Sequence, residues 1–275
     1  MSKAFFKPGV PPKLLHKFKS SEHSKRAVEV WLTPCIVTKL GKTSDASCKV
    51  LINPANPQLS GIEKFAYFPK GGPVPKDPPK GMFAGWQPLG YVTSWGGMEV
   101  GGGMLYASSV VDGIVHQLGG WRFKIECSMV NVVKKDERVP VGSSATTGPG
   151  LGSDLSKEYD AIVHTTPPFY NYFDEGDPSS YLRQCYQNSL KMAFEEISSS
   201  SDENSNDSRV AIPLLGAGGR GFPIDVAIGI AASEAISWSQ KHDKMNGQSE
   251  VLAFGLPEIS NANMLIDELK RMELQ

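Results

Sequence analysis

The chain has 275 residues, 40% of them hydrophobic and 21% charged, with a formal net charge of −1. That length supports a real core in one large or two small domains, and the charge balance excludes a field that would gather nucleic acid or an anionic membrane surface. No apolar run approaches the roughly 20 residues that span a bilayer, and the N-terminus lacks the apolar core of a secretory signal, so the cytoplasm or nucleus is the expected compartment.

In chain order, residues 1–26 are locally basic through Lys3, Lys7, Lys13, Lys17, Lys19, Lys25 and Arg26, and read as a solvated tail ahead of a single domain over 27–275. Strands are predicted at Val28–Leu32 and Val50–Ile52. An insertion at about 62–100 follows, rich in Pro, Gly and aromatics such as Trp86, Tyr91 and Trp95, the composition of a packed lid or binding loop. A helix is predicted over Met104–Leu118. In Trp121–Cys127 apolar residues alternate with charged ones, the pattern of a half-exposed strand. A strand at Ala161–Thr165 and a helix at Tyr181–Ile197 lead to the polar stretch 198–208, read as a flexible surface loop because it holds no apolar residue. Beyond it come a strand at Val210–Leu215, a helix at Ile224–Ser239, a strand at Val251–Phe254 and a helix at Ala262–Met272. Alternation of this kind predicts an α/β sheet covered by helices.

The most informative stretch is Arg209–Pro223. An apolar run with β-branched members ends in Gly216, Ala217, Gly218, Gly219, Arg220, Gly221 and Phe222, and Pro223 then opens a helical pattern. Glycines allow positive φ and bring backbone N–H groups close to a ligand, and a helix N-terminus behind such a loop favours an anion. The spacing matches neither a Walker loop, which requires a following Lys and hydroxyl residue, nor a dinucleotide-binding fingerprint. Cys35, Cys48, Cys127 and Cys185 and the five histidines lack metal-ligand spacing, so neither a metal nor a cofactor is expected. His164, inside a strand, reads as a satisfied core residue.

Five segments, in order, resemble one family, the macrodomain. Leu51-Ile-Asn-Pro-Ala-Asn56 is similar to its Asn-Ala-Ala-Asn strand end, and Val110-Val-Asp-Gly-Ile-Val-His116 to its Val-Asp-Gly-Ala-Ile-His stretch. Val141–Gly150 with Tyr159–Thr165 resembles its Thr-Pro-Gly and Val-Ile-His-Thr run. Cys185–Leu190 resembles an intervening helix, and Arg209–Pro223 the second phosphate loop. The resemblance spans roughly Val28–Leu269. It implies a three-layer α/β/α domain with a mixed central sheet flanked by helices. It also implies a cleft in which Gly101, Gly102 and Gly103 form a first glycine loop and Gly216–Gly221 a second, gripping a diphosphate. Asn53 and Asn56 would stand at the strand end, with Asn56 on the distal ribose, and Phe254 near the adenine.

Three departures accompany this likeness. Trp31–Ile36 holds no Asp where the family recognises adenine, leaving backbone groups or Asp45, or a different base. Arg220 stands where the family places an aromatic on the distal ribose, and would add a charge-assisted phosphate contact or point to solvent. Asp112, which by resemblance positions water, lies well beyond the glycine triplet, so it either keeps its place after an extension or sits deeper, pointing away from the cleft. The resemblance thus implies binding of ADP-ribose, or of an ADP-ribosylated protein or metabolite, and metal-independent hydrolysis of a mono-ADP-ribose adduct with Asp112 and Asn56 as catalytic residues. The alternatives are a non-catalytic ADP-ribose reader and a macrodomain with an altered nucleotide ligand. A monomer without membrane or nucleic-acid partners is expected.

Overall fold

In a computed structural model of the chain, the described residues are 11–19, 24–61, 110–170, 175–199, 207–241 and 249–273. Seven strands form one mixed sheet: β1 (Lys13–Lys19), β2 (Arg26–Leu32), β3 (Val50–Pro54), β4 (Ser144–Thr147), β5 (Ala161–Thr165), β6 (Asp207–Ile212) and β7 (Ser249–Leu256). Their order is β1-β2-β7-β6-β3-β5-β4. The five inner strands run parallel, and β1 and β4 are antiparallel edges. Among the described residues the helices are α1 (Ile36–Lys39), α2 (Val111–Met129), α3 (Asp154–Glu158), α4 (Pro178–Ser199), α5 (Ile224–Gln240) and α6 (Ile259–Glu273).

Period-2 alternation divides the core between the two faces of the sheet. Val50, Ile52, Val163, Val210, Ile212, Leu252 and Phe254 pack under α4, α5 and α6. Trp31, Leu51, Ile162, Ala211 and Ala253 pack under α1, α2 and α3. The result is the expected three-layer α/β/α arrangement. Among the described residues no helix is long and apolar enough to cross a membrane.

Two sequence expectations need correction. Part of the stretch read as a basic tail is strand β1, whose Phe18 is buried against the core while its lysines face outward. Lysines on an edge strand discourage pairing with other chains, and that same charge made the segment look like a tail. Trp121–Cys127 is helical, not a strand. Phe123 and Cys127 are buried while Trp121 and Ile125 are exposed, so burial follows a helical face and the alternation in sequence is incidental. Gly120, at φ 60° and ψ −150°, breaks α2 and lets Gly119 press on Phe123, where an added Cβ would stand 2.4 Å from the phenylalanine Cβ. The helix itself begins at Val111, well after the expected Met104. Residues 62–109, which include the insertion at 62–100 and the triplet Gly101, Gly102 and Gly103, lie outside the described residues.

Candidate functional site

The parallel strands end together, and the chain leaves them in opposite directions on either side of one seam. From β3 it continues to β4 and β5 on one flank; from β6 it continues to β7 on the other. Such a switch point leaves a crevice outside the carboxyl ends of the strands. Here the seam is open by construction: β3 and β6 pair only at Val50↔Val210 and Leu51↔Ala211, then diverge. Pro54 and Pro213, which have no N–H to donate, follow on the two sides.

On the β6 side the glycine loop is folded by its own backbone. Gly216, at φ 83°, accepts from the Phe222 amide at 3.1 Å, and Gly218 accepts from Gly221, itself at φ 74°. An added Cβ on Gly216 would stand 2.9 Å from the Phe222 ring, so that glycine is required. The buried Tyr186 hydroxyl accepts from the Leu215 amide at 3.0 Å and fixes the start of the loop. The amides of Ala217, Gly218, Gly219 and Arg220 donate to nothing among the described residues. Four successive N–H groups ahead of helix α5, unpaired among the described residues, are an arrangement that suits an anion.

On the β3 side stands a buried polar chain. Asn53 Nδ2 donates to Asp112 Oδ1 at 2.8 Å and lies 3.3 Å from His164 Nδ1. His164 Nε2 lies 2.9 Å from Thr147 Oγ1, so Nδ1 accepts and Nε2–H donates. Asp112 occupies the first turn of α2, 6% exposed, with His116 Nε2 at 3.6 Å from Oδ1. Oδ2 of Asp112 has no partner among the described residues. Phe123 separates the two histidines, stacked on His164 at 5.6 Å and edge-on to His116 at 5.0 Å. Among the described residues no group of three or more His, Cys, Asp or Glu is placed to hold a metal ion.

Burial, with a smaller contribution from His116, pushes the His164 pKa down to about 3. The folded-state value is depressed, so its contribution to stability is complete above the unfolded value near 6.5 and is lost as pH falls towards 3. The slope is about 1.4 kcal/mol per pH unit. We expect urea unfolding at pH 5 to report about 2 kcal/mol less stability than at pH 7, and His164→Asn to remove most of that difference. His16, lowered by burial and Lys270, acts in the same sense and leaves a residual slope. An identical pH slope in the variant would refute the assignment.

A family model for the Macro domain matches residues 103–231. A Macro domain-containing protein of Xanthomonas axonopodis pv. citri is 30% identical over 48% of this chain and 65% of its own length. The ADP-ribose glycohydrolase MACROD2 of Mus musculus is 30% identical over 48% of this chain and 24% of its own. The chain therefore spans less than two thirds of these curated relatives. Among solved structures, a point mutant of the Oceanobacillus iheyensis macrodomain superposes with a TM-score of 0.60 at 18% identity, covering 96% of each chain. A second mutant of the same protein, solved with ADPR, gives 0.59 at 18% identity, covering 94% of this chain and all of that one. The chain has a macrodomain fold and resembles the Macro domain family over residues 103–231.

Several residues expected at the site take other positions. Asn56 is buried and committed to its own loop: Nδ2 donates to the Gly61 carbonyl at 2.6 Å, and Oδ1 accepts from the Ser60 amide and hydroxyl. It shapes residues 56–61, and Gly61 in turn covers the His116 ring. Asn53, fully buried, orients Asp112 and is not itself at the surface of the cleft. Phe254 has no exposed surface and faces the α4–α6 core, and Phe222 is buried beneath Gly216. Both are packing residues, because the strand and loop positions they occupy point inward. Asp45 precedes β3 beside Ala46, whose carbonyl accepts from Arg209, so it stands at the amino end of the sheet, away from the crevice. Pro223 is the N-cap of α5 and not its first helical residue, with ψ at 139°.

Sequence reasoning missed Phe169, Tyr170 and Ala55. The Arg220 guanidinium lies over the Phe169 ring at 4.4 Å, Arg220 Nη2 donates to the Ala55 carbonyl at 3.0 Å, and the Arg220 carbonyl accepts from the Tyr170 amide at 2.9 Å. The Tyr170 ring packs on Phe222 at 5.0 Å. The one available signal was the aromatic pair Phe169-Tyr170 close behind strand β5. Arg220 therefore does not point free into solvent: it ties the glycine loop to the ends of β3 and β5.

Proposed function

We propose that this macrodomain binds ADP-ribose in the crevice between β3 and β6 and hydrolyses a mono-ADP-ribose adduct there, in the cytoplasm or nucleus. The observation that carries the reading is the row of four loop amides, unpaired among the described residues, across the seam from Asp112. Backbone donors fixed in advance suit a diphosphate, because no side chain has to be ordered on binding. Asp112 Oδ1 is held by Asn53, which leaves Oδ2 to accept from a water and orient it towards the sugar. Asn53 positions that carboxylate, His116 Nε2 lies 3.6 Å from the same oxygen, and Gly61 closes over His116. The printed names of similar proteins support this choice of ligand: MACROD2 is described as an ADP-ribose glycohydrolase, and the Oceanobacillus macrodomain has been solved with ADPR and with ADP.

A second reading, recognition of ADP-ribose without turnover, is favoured by the near-complete enclosure of Asp112. Calorimetric titration with ADP-ribose beside ADP and AMP tests the shared part. ADP-ribose is expected to bind more tightly than ADP, and absence of ADP-ribose binding would overturn both readings. Release of ADP-ribose from an ADP-ribosylated protein then separates the enzyme from the reader.

A further inference from the structure

Helix α2 turns Phe123 and Cys127, four residues apart, onto the core. The same spacing leaves Trp121, Ile125 and Met129 in one row on its outward face. A helix on the outside of a domain ordinarily fills that row with polar side chains. Here Trp121 is 66% exposed and Met129 73% exposed, with Ile125 half-exposed between them. The Arg122 guanidinium lies 5.1 Å over the Trp121 ring and donates to the Gly152 carbonyl at 3.0 Å, which brings the exposed Leu151 beside the row. Val132 and Val133, exposed just beyond the helix end, extend it on the other side. Among the described residues, the other exposed large apolar side chains are Leu14, Ile259 and Met264, which lie on other elements.

Size and charge decide what such a face fits. Trp121, Ile125, Met129 and Leu151 leave on the order of 600 Å² of side chain in contact with water, the upper limit of apolar patches on monomers. Val132 and Val133 bring the total near the roughly 800 Å² that each partner contributes to a standard-sized interface. The border carries both signs, with Arg122, Lys134 and Lys135 against Glu126 and Asp136, and the chain as a whole is nearly neutral at −1. A strongly charged partner finds no matching field there, whereas a two-fold axis can bring the cations of one copy towards the anions of another. The row is also symmetric, because Trp121 and Met129 stand four residues to either side of Ile125. Antiparallel pairing of two such rows sets Trp121 of each copy against Met129 of the other, a favourable contact of sulfur with an aromatic ring.

We propose that this face of α2 is a homodimer interface, in which two copies of the chain pair antiparallel about a two-fold axis at Ile125. The monomer expected from sequence is then the dissociated form. Asp112 lies in the first turn of α2, before the break at Gly120, so the interface and the crevice occupy separate halves of the helix.

Sedimentation equilibrium of the full chain tests this. The wild type should pass from monomer to dimer between about 1 and 100 µM. Trp121→Glu should weaken association by about 100-fold or more, since a charge replaces an aromatic anchor at the centre of the contact. Ile125→Cys supplies a second readout. All four native cysteines are buried, so oxidation should join two copies through this position, while Met264→Cys, on α6, should give no cross-link. Thermal melting at about 1 µM should hardly change in these variants, because the replaced side chains are exposed in the monomer. If Trp121→Glu fails to fold, the two cysteine variants still decide. A wild type that remains monomeric at about 100 µM would overturn the proposal and assign the face to a different occupant. A dimer that persists in Trp121→Glu, with no cross-link through Ile125→Cys, would overturn it equally by placing the contact on another surface.

Discussion

Asp112→Asn is expected to slow adduct hydrolysis by about 10²–10⁴-fold, the usual contribution of a positioned acid or base. Affinity for ADP-ribose should stay within about threefold, as for a group whose interaction is made chiefly in the transition state. Asparagine has nearly the shape of aspartate, and its carbonyl oxygen can still accept from Asn53 Nδ2, so the turn at the start of α2 should survive. What is lost is the basicity of the second oxygen. Single-turnover kinetics with an ADP-ribosylated protein, beside calorimetry on the same preparation, separate the two effects. An unchanged rate would remove Asp112 from the chemistry, and an equal loss of rate and binding would make it a structural residue.

Gly218→Glu is expected to weaken ADP-ribose binding by on the order of 100-fold while leaving the melting temperature nearly unchanged. The loop provides the contrast that makes this test clean. Gly216 cannot take a side chain, because its φ is positive and Phe222 stands against it, whereas a Cβ on Gly218 would meet nothing within 4 Å. A glutamate there is sterically tolerated. Its carboxylate would stand among amides that are proposed to face a diphosphate, and a like-charge contact of that kind costs a few kcal/mol. Raising the salt concentration should recover part of the affinity, since exposed charges are screened. Undiminished binding would mean that the ligand does not use this loop.

Much of the fold was legible because the sequence repeats its signals. Strand β5 was read at its observed limits, Ala161–Thr165, since an apolar run flanked by turn residues has few other interpretations. Helix α5 was placed within a residue for a similar reason, its loop and proline marking the start. The errors arose where one pattern serves two structures. Lysine spacing is common to a solvated tail and an edge strand, as β1 shows. Strict alternation from Trp121 to Cys127 was satisfied by a helix whose burial skips Trp121 and Ile125.

At the site, the glycine loop could be read because positive φ has a residue signature. The actual contacts of Asn56, Asn53 and Arg220 could not, because they depend on partners that no local pattern announces: Gly61 and Ser60 across a turn, Asp112 from another layer, and Ala55 and Phe169 from two other strand ends. Whether Asp112 keeps a place at the strand ends was open in sequence. Asp112 lies in the first turn of α2, bonded to Asn53 of β3.

The contact of Gly61 with His116 bears on how this fold accepts extra chain. Gly61 abuts a side chain of the helix that Val110 caps, so the two points between which residues 62–109 run are anchored to one helix. Closing a longer connection between fixed, neighbouring ends costs entropy that grows only logarithmically, about 0.6 kcal/mol for each doubling of its length. Between Gly61 and Val110, added residues would therefore cost the fold little in loop closure.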